Sequence, residues 1–238
     1  MWKWVWKVVG KSRAYPDRVK VLNVLSVLDS VPLCGLQQLT LRGEDGTATL
    51  YLEGPNIVGV ESEVLPDLGT ALTRAGLDPM DVDLAEHEDR RVWPPLLRKG
   101  LLAPHVAHAQ FALRVTQALL PLAWQDLTWT VTPLAAYADR VDGLSLDTAG
   151  TLYDMVWLAM TIPGARRADR PSTRLRAVPA SSVPEEVIAG GAVYLGVMHG
   201  WTLGQVAARL GLRWDDLSRQ VNALVNSGLL CPVPVQVK

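Results

Sequence analysis

Two histidines, His105 and His108, lie three residues apart in a segment with helical apolar spacing, so both rings could face one metal ion. Further possible ligands follow one another in the run Glu86-His87-Glu88-Asp89. No pattern in the sequence fixes a third ligand, however, and no HExxH arrangement occurs. We therefore interpret the two histidines as an exposed helix face and predict no metal site.

The sequence also lacks the motifs of the common catalytic chemistries. It contains no phosphate-binding loop, no Rossmann glycine pattern and no nucleophile elbow, so nucleotide hydrolysis, hydride transfer and serine-type acyl transfer have no anchor. The pair Gly190-Gly191 falls inside a predicted helix, where glycine permits close helix packing. We predict no catalytic residue and no cofactor, and hence a protein that is not an enzyme.

Composition is that of a folded protein in a reducing compartment. The 238 residues are 49% hydrophobic, which is ample for packed cores, and a net charge of -1 gives no general attraction to phosphate. Cys34 and Cys231 are too few and too far apart for a disulfide scaffold. Lysines interrupt the N-terminal apolar residues before a signal peptide could form. We expect a cytoplasmic protein.

One stretch, residues 187–208, is as long as a membrane span and has no Asp, Glu, Lys or Arg. Gly200, Trp201 and Thr202 indicate a break between two shorter helices, and Arg209 follows at once. We predict buried helices and no membrane span.

The N-terminus alternates Trp2, Trp4 and Trp6 with Lys3, Val5 and Lys7. In a strand this period puts the three indoles on one face, which predicts an edge strand lying on a core. An interfacial membrane segment or a partner-binding segment is the alternative.

Apolar period and turn residues predict the order of elements. Glycines that can take a left-handed conformation end three of the helices, at Gly76, Gly100 and Gly228, each followed by leucine. The turns 43–46 and 53–56 join the strands of a small antiparallel meander. The predicted helices are 19–28, 67–75, 92–99, 105–120, 146–160 and 217–227, and the predicted strands are 36–42, 47–52, 57–60 and 124–131.

Residues 163–184 have the composition of a linker, with several prolines and with arginines opposed by a single acid, Asp169. We therefore divide the chain into three parts. Residues 1–135 form the meander and its helices, residues 136–183 a helix and the arginine- and proline-rich linker, and residues 184–238 a C-terminal module.

The segment from Val21 to Pro133 resembles the PATAN family, a bacterial domain often found with response-regulator receiver domains. The resemblance rests on "VLNVLSVLDS", "GLQQLTLRGEDGTATLYLEGPNIVGVES", "LGTALTRAGL" and "LLRKGLLAPHVAHAQFALRVTQALLPLAWQDLTWTV", in that order. Pro55 after Gly54 departs from the family's pattern, and the chain has no receiver-like segment. The resemblance implies a signalling or protein-interaction role and assigns no catalytic residue.

Residues 184–238 resemble a winged-helix module. Helices over 185–198, 202–210 and 214–227 are joined by a break at Gly200 and a turn at 211–213, with Thr202 as the cap of the second helix. An apolar seam of Trp214, Leu217, Val221 and Leu224 would face the module's core. Only residues 229–237 remain after the third helix, which is too short for a two-stranded wing.

Together these observations predict an α+β protein: a small antiparallel β-meander packed with helices, plus a mainly helical winged-helix-like domain. We favour a bacterial adaptor that binds another protein in signalling, and the chain could be a homodimer. The alternative is a DNA-binding transcriptional or chromosome-associated regulator. The residues that could contact DNA or a partner are Arg166, Arg167, Arg170, Arg174, Arg176, Arg213, Arg219, Gln220 and Asn222.

Overall fold

The computed structural model of the chain describes residues 24, 27, 28, 31, 35–89, 92–122, 125–134, 144–148, 150, 174–178 and 190–233. The predicted strand at Trp2, Trp4 and Trp6 lies outside these residues, as does most of the predicted helix 19–28. Three residues of that helix are described, Val24, Val27 and Leu28, and all three are helical and buried.

Five strands form one antiparallel sheet, and its first three strands are the predicted meander, which is confirmed. Alternate residues of the first strand, Leu39 and Leu41, are fully buried, because successive side chains of a strand point to opposite faces. The strands are β1 (Leu36–Gly43), β2 (Gly46–Glu53), β3 (Asn56–Ser62), β4 (Thr128–Pro133) and β5 (Leu146–Asp147), in the spatial order β4-β1-β2-β3-β5.

The turn between β2 and β3 accommodates the proline that departs from the family pattern. Gly54 has a φ of 55°, a left-handed conformation that glycine adopts without strain, and its amide donates to the carbonyl of Gly35 at 3.1 Å. Pro55 follows in the two-residue loop, and Glu53 and Asn56 remain paired across it. The meander therefore continues through the turn.

Four helices pack on the inner face of this sheet, and their buried side chains, Trp93 and Phe111 among them, form one core with the strands. They are α1 (Leu68–Arg74), α2 (Pro79–Glu88), α3 (Trp93–Arg98) and α4 (Pro104–Leu119), and a 3-10 turn at Leu120–Leu122 follows α4. Sequence analysis missed α2. Two residues in the sequence indicate the start of this helix. The carboxylate of Asp78 accepts a hydrogen bond from the amide of Met80 at 2.8 Å, and Pro79 occupies the first helical position.

Two predicted elements are corrected. Residues 146 and 147, predicted to begin the helix 146–160, form β5 instead, with Leu146 opposite Ile57 and Asp147 opposite Asn56. The edge of β3 offers them backbone partners, a tertiary effect that the local apolar period does not reveal. Residues 148 and 150 are helical, and the rest of that predicted helix lies outside the described residues. The strand predicted at 124–131 is observed at Thr128–Pro133. Gln125 is not part of it, because its side chain is hydrogen-bonded elsewhere in the fold, as described below.

All three predicted glycine helix ends are confirmed. The amide of the following leucine donates back into the last helical turn in each case, from Leu77, Leu101 and Leu229 at 3.1, 3.0 and 2.9 Å. The same arrangement ends two further helices at Gly200 and Gly211, where φ is 77° and 67°. Local sequence therefore fixes where these helices stop.

Three helices and a small sheet make up the C-terminal module, residues 174–178 and 190–233. The helices are α5 (Gly191–Met198), α6 (Leu203–Leu210) and α7 (Trp214–Asn226). Strand β6 (Leu175–Ala177) pairs with β7 (Leu230–Pro232). Part of the segment assigned to a linker is therefore a strand, because the chain after α7 supplies a pairing partner. The described residues of the tail, 229–233, contribute one strand, β7.

The predicted break at residues 200–202 is confirmed, since α5 ends before Gly200 and α6 begins after Thr202. Gly190 permits the close packing predicted for it, because an added Cβ would lie 3.1 Å from Leu224 Cδ1. Within the described part of the chain, none of the helices has both the length and the apolar character needed to cross a membrane.

The contact between α5 and α6 leaves no room for a side chain at Gly196, where an added Cβ would lie 3.0 Å from Trp201 Cε3 and from Val206 Cγ2. Overpacking costs about 1–3 kcal/mol and the helix propensity of alanine returns about 1 kcal/mol, so we expect Gly196→Ala to be destabilising overall. Gly191→Ala is the matched control in the same helix, because nothing lies within 4 Å of its added Cβ. Urea denaturation should show a small stabilisation for Gly191→Ala. Equal effects of Gly191→Ala and Gly196→Ala would contradict the close packing at Gly196.

Candidate functional site

Six of the nine sequence-predicted contact residues lie within the described part of the chain. Arg166, Arg167 and Arg170 lie outside the described residues. Of the remaining six, Arg176, Arg213, Arg219 and Asn222 are exposed, Gln220 is half-buried, and Arg174 is bonded within the protein.

The outward face of α7 carries no excess of positive charge. Arg219 forms an ion pair with Asp216 one turn earlier in the helix, and Asp215 is exposed at the helix start. The predicted seam of this helix is confirmed, because its four apolar members are buried in the module's core. The Arg219 guanidinium is therefore already neutralised by a neighbour on its own helix.

Arg174 lies at the centre of a junction between two parts of the chain: the five-stranded sheet with its helices, and the C-terminal module. Its Nη2 donates to Oδ1 of Asp45 at 3.0 Å, and its Nη1 donates to the carbonyl oxygen of Gly200. Asp45 belongs to the two-residue turn between β1 and β2, and only 7% of it is exposed. A residue of the predicted linker thus bonds both to the sheet and to the end of α5.

Gln125 holds Asp45 from the other side. Its Oε1 accepts from the Asp45 amide at 3.1 Å, and its Nε2 donates both to Oδ2 of Asp45 and to the carbonyl oxygen of Pro121 at 2.8 Å. Gly43 makes room for this amide, since an added Cβ would lie 2.3 Å from Gln125 Oε1. The side chain of Gln125 therefore locks the hairpin turn onto the end of the α4 segment.

The first turn of α6 completes the junction. Gln205 and Thr202 form a capping box, in which the Thr202 amide donates to Gln205 Oε1 at 3.0 Å. Gln205 Nε2 donates in addition to the carbonyl oxygen of Asp45 at 2.7 Å. Thr202 is completely buried and Leu203 nearly so. The N-terminal end of α6 consequently faces the β1–β2 turn and not solvent.

The electrostatics of the junction are set mainly by burial. Burial raises the pKa of the Asp45 carboxyl above its ordinary value of 3.8, the Arg174 guanidinium opposes that rise, and Glu44 adds to it. Ionised Asp45 is therefore kept in the fold by its hydrogen bonds and by Arg174, against the cost of desolvation. We name the group Asp45, Gln125, Arg174 and Gln205 the Asp45 junction.

Further bonds join the two parts of the chain beside this junction. Arg74 Nη1 donates to the carbonyl oxygen of Arg209 at 3.0 Å, and Gln117 Nε2 donates to that of Leu212 at 3.4 Å. Leu120, in the 3-10 turn after α4, is buried in the core of the C-terminal module. The two parts therefore share both polar and apolar contacts.

Among the described residues, one groove lies apart from the junction and another adjoins it. One, of about 300 Å³, runs between α1 and α2 and is lined by Asp67, Asp83, Glu86 and Arg74 among others. The second, of about 440 Å³, lies between β6 and α5 and is mainly apolar. No group of three or more potential metal ligands occurs among the described residues, and both His105 and His108 are exposed.

Sequence analysis missed the Asp45 junction. The residues Gly43 to Gly46 predict a turn and nothing more, and the spacing of Thr202 and Gln205 is typical of a capping box. That spacing could have identified Gln205 as a cap. No local signal could have paired it with Asp45, which is 160 positions away.

Comparison with known proteins adds no identity: no family model matches the chain, and neither a curated protein nor a solved structure is significantly similar to it.

Proposed function

We propose that the chain is a non-catalytic regulatory or adaptor protein of the bacterial cytoplasm that acts by binding another protein in signalling. The observation that carries this proposal is the burial of the N-terminal end of α6 against the β1–β2 turn. In a DNA-binding helix-turn-helix the first helix crosses the phosphate backbone and the second lies in the major groove. In this chain the Asp45 junction covers the N-terminal end of α6, which is therefore not open to DNA.

Charge on the next helix supports the same choice. The start of α7, which would enter the groove, carries Asp215 and Asp216, and Arg219 is paired with Asp216. Phosphate contacts supply most of the sequence-independent affinity for DNA, and this face has no cationic excess to make them. Acidic residues at a helix start are explained by the helix dipole alone.

Surface apolar side chains favour a protein partner. Large hydrophobic residues are exposed on α2 and α5, where Met80 is 71% and Met198 is 59% exposed. Contiguous exposed apolar patches mark protein–protein or membrane interaction sites and ligand-binding grooves. The thiol of Cys231 is free, which fits a reducing cytoplasm.

Binding of duplex DNA by the full-length protein tests the proposal against its alternative. We expect a Kd no tighter than about 1 µM near physiological salt, the range of non-specific binding, and no change on Arg219→Ala. Fluorescence anisotropy with a labelled duplex over a salt series measures both. Arg42→Ala, at an exposed arginine of β1 outside the predicted contact residues, is the control for a general loss of positive charge.

Sub-micromolar binding that Arg219→Ala abolishes would replace the adaptor by the DNA-binding regulator. Affinity capture from a native extract, with and without nuclease, gives the complementary result. Protein partners that survive nuclease treatment support the adaptor, whereas partners that disappear with the nucleic acid contradict it.

A further inference from the structure

Helix α5 is apolar on the side that faces solvent as well as on the side that faces the core. Val193, Tyr194 and Val197 are buried in the module, while Leu195 and Met198, three residues apart, are 56% and 59% exposed. The helix contains no charged residue. A helix that is apolar all round is typical of a position buried on both sides, which predicts that a partner covers the outward face.

The groove beside this helix has a defined chemistry. Leu175 and Ala177 of β6, Tyr194 and Met198 of α5, and Val233 supply apolar walls. Among the described residues, its charged lining residues are Arg174 and Arg176, and none of those that line it carries a carboxylate.

Only one of these arginines is available to a ligand. Arg174 is paired with Asp45. Arg176 is exposed, and among the described residues its guanidinium contacts only Sγ of Cys231, at 3.4 Å. The groove thus fits an apolar ridge with a carboxylate beside it.

The chain itself carries such a ridge on α2. Met80 and Leu84, which are 71% and 56% exposed, lie four residues apart on one face of the helix. Asp83 is exposed next to them, and the helix contains further acidic residues but neither lysine nor arginine. The α2 ridge and the α5 groove are therefore complementary both in apolar character and in charge.

We propose that the groove between β6 and α5 binds α2 of a second copy of this chain. Met80 and Leu84 of one copy fill the apolar walls, and Asp83 pairs with Arg176 of the other copy. A twofold axis makes this contact twice, so that each copy contributes one ridge and one groove and the assembly closes as a dimer. The proposal does not depend on the adaptor function, because it concerns only the chain's contact with itself.

Sedimentation equilibrium of the full-length protein tests this arrangement. We expect a species of twice 25.9 kDa at micromolar concentration. Leu84→Glu places a charge inside the groove and should raise the dimer Kd by about thirtyfold or more, as expected for a central interface residue. Leu101→Glu is the control, because Leu101 is also exposed but lies on neither surface.

A charge exchange separates a specific contact from general destabilisation. Asp83→Lys and Arg176→Glu should each weaken the dimer, and the double variant should recover it, while circular dichroism shows unchanged secondary structure for all three. A monomeric wild type overturns the proposal. So does a dimer whose Kd is the same for wild type and Leu84→Glu, or one that the double charge exchange fails to restore.

Discussion

Asp45→Ala is expected to lower the free energy of unfolding by about 2–4 kcal/mol, one of the larger effects of a single substitution at a polar residue of this chain. The change leaves the Nε2 group of Gln125 and the guanidinium of Arg174 without the carboxylate to which both now donate. Gln125 is buried and cannot recover the bond from water. Urea denaturation of the full-length protein, followed by circular dichroism, measures the loss.

Two neighbouring arginines provide the matched control. Arg174 and Arg176 lie two residues apart in or beside β6, yet only Arg174 reaches Asp45. Arg174→Ala should destabilise by about 1–3 kcal/mol, whereas Arg176→Ala should change the free energy of unfolding by less than about 0.5 kcal/mol. Arg174 is half exposed and so recovers part of its hydration. A double variant of Asp45 and Arg174 whose effect equals the sum of the single ones would contradict direct coupling.

The raised pKa of Asp45 predicts how the stability of the wild type relative to Asp45→Asn changes with pH. The folded state binds the proton more tightly than the unfolded state does, because burial outweighs Arg174. This carboxyl therefore contributes stability that is fully present below pH 3.8, its ordinary pKa. That stability is lost as pH rises through the pKa of the folded state. Stability of the wild type relative to Asp45→Asn should fall over that window, and a rise would contradict the sign of the shift.

Sequence predicted the elements whose signals are local. The hairpin glycines, the leucine after each helix-ending glycine and the alternating burial of β1 all depend on residues a few positions apart. The contacts of Asp45 join residues separated by 80, 129 and 160 positions. A single sequence contains no periodicity over such distances, and so the junction could not be predicted.

Composition did not predict strand β6 in the arginine-rich segment, for a related reason. Prolines and unopposed arginines are typical of a solvated linker, and they pointed to a nucleic-acid contact. Arg174 is instead opposed by a carboxylate from the distant β1–β2 turn, and the residues after it pair with β7. The counter-charge and the pairing partner were both present in the sequence, but only the tertiary fold brings them together.

The two cores of the chain meet at consecutive leucines, which allows the coupling between them to be tested. Leu119, the last residue of α4, is fully buried in the core under the five-stranded sheet. Leu120 begins the 3-10 turn and is buried in the core of the C-terminal module. This turn also contacts β1, β2 and α6. Leu120 is therefore an apolar link from one module into the other.

Leu120→Ala is expected to cost about 2–5 kcal/mol, the range for removing a buried leucine side chain, and to act first on the C-terminal module. Hydrogen exchange followed by mass spectrometry should show faster exchange in α5, α6 and α7 with little change in β1 and β2, because the lost contacts belong to the smaller core. Leu119→Ala is the matched variant and should reduce protection in the sheet as well, since its side chain packs under the strands. If Leu120→Ala accelerates exchange equally in β1, β2 and α7, the two cores unfold as one cooperative unit, and Leu120 stabilises that whole unit instead of linking two separable ones.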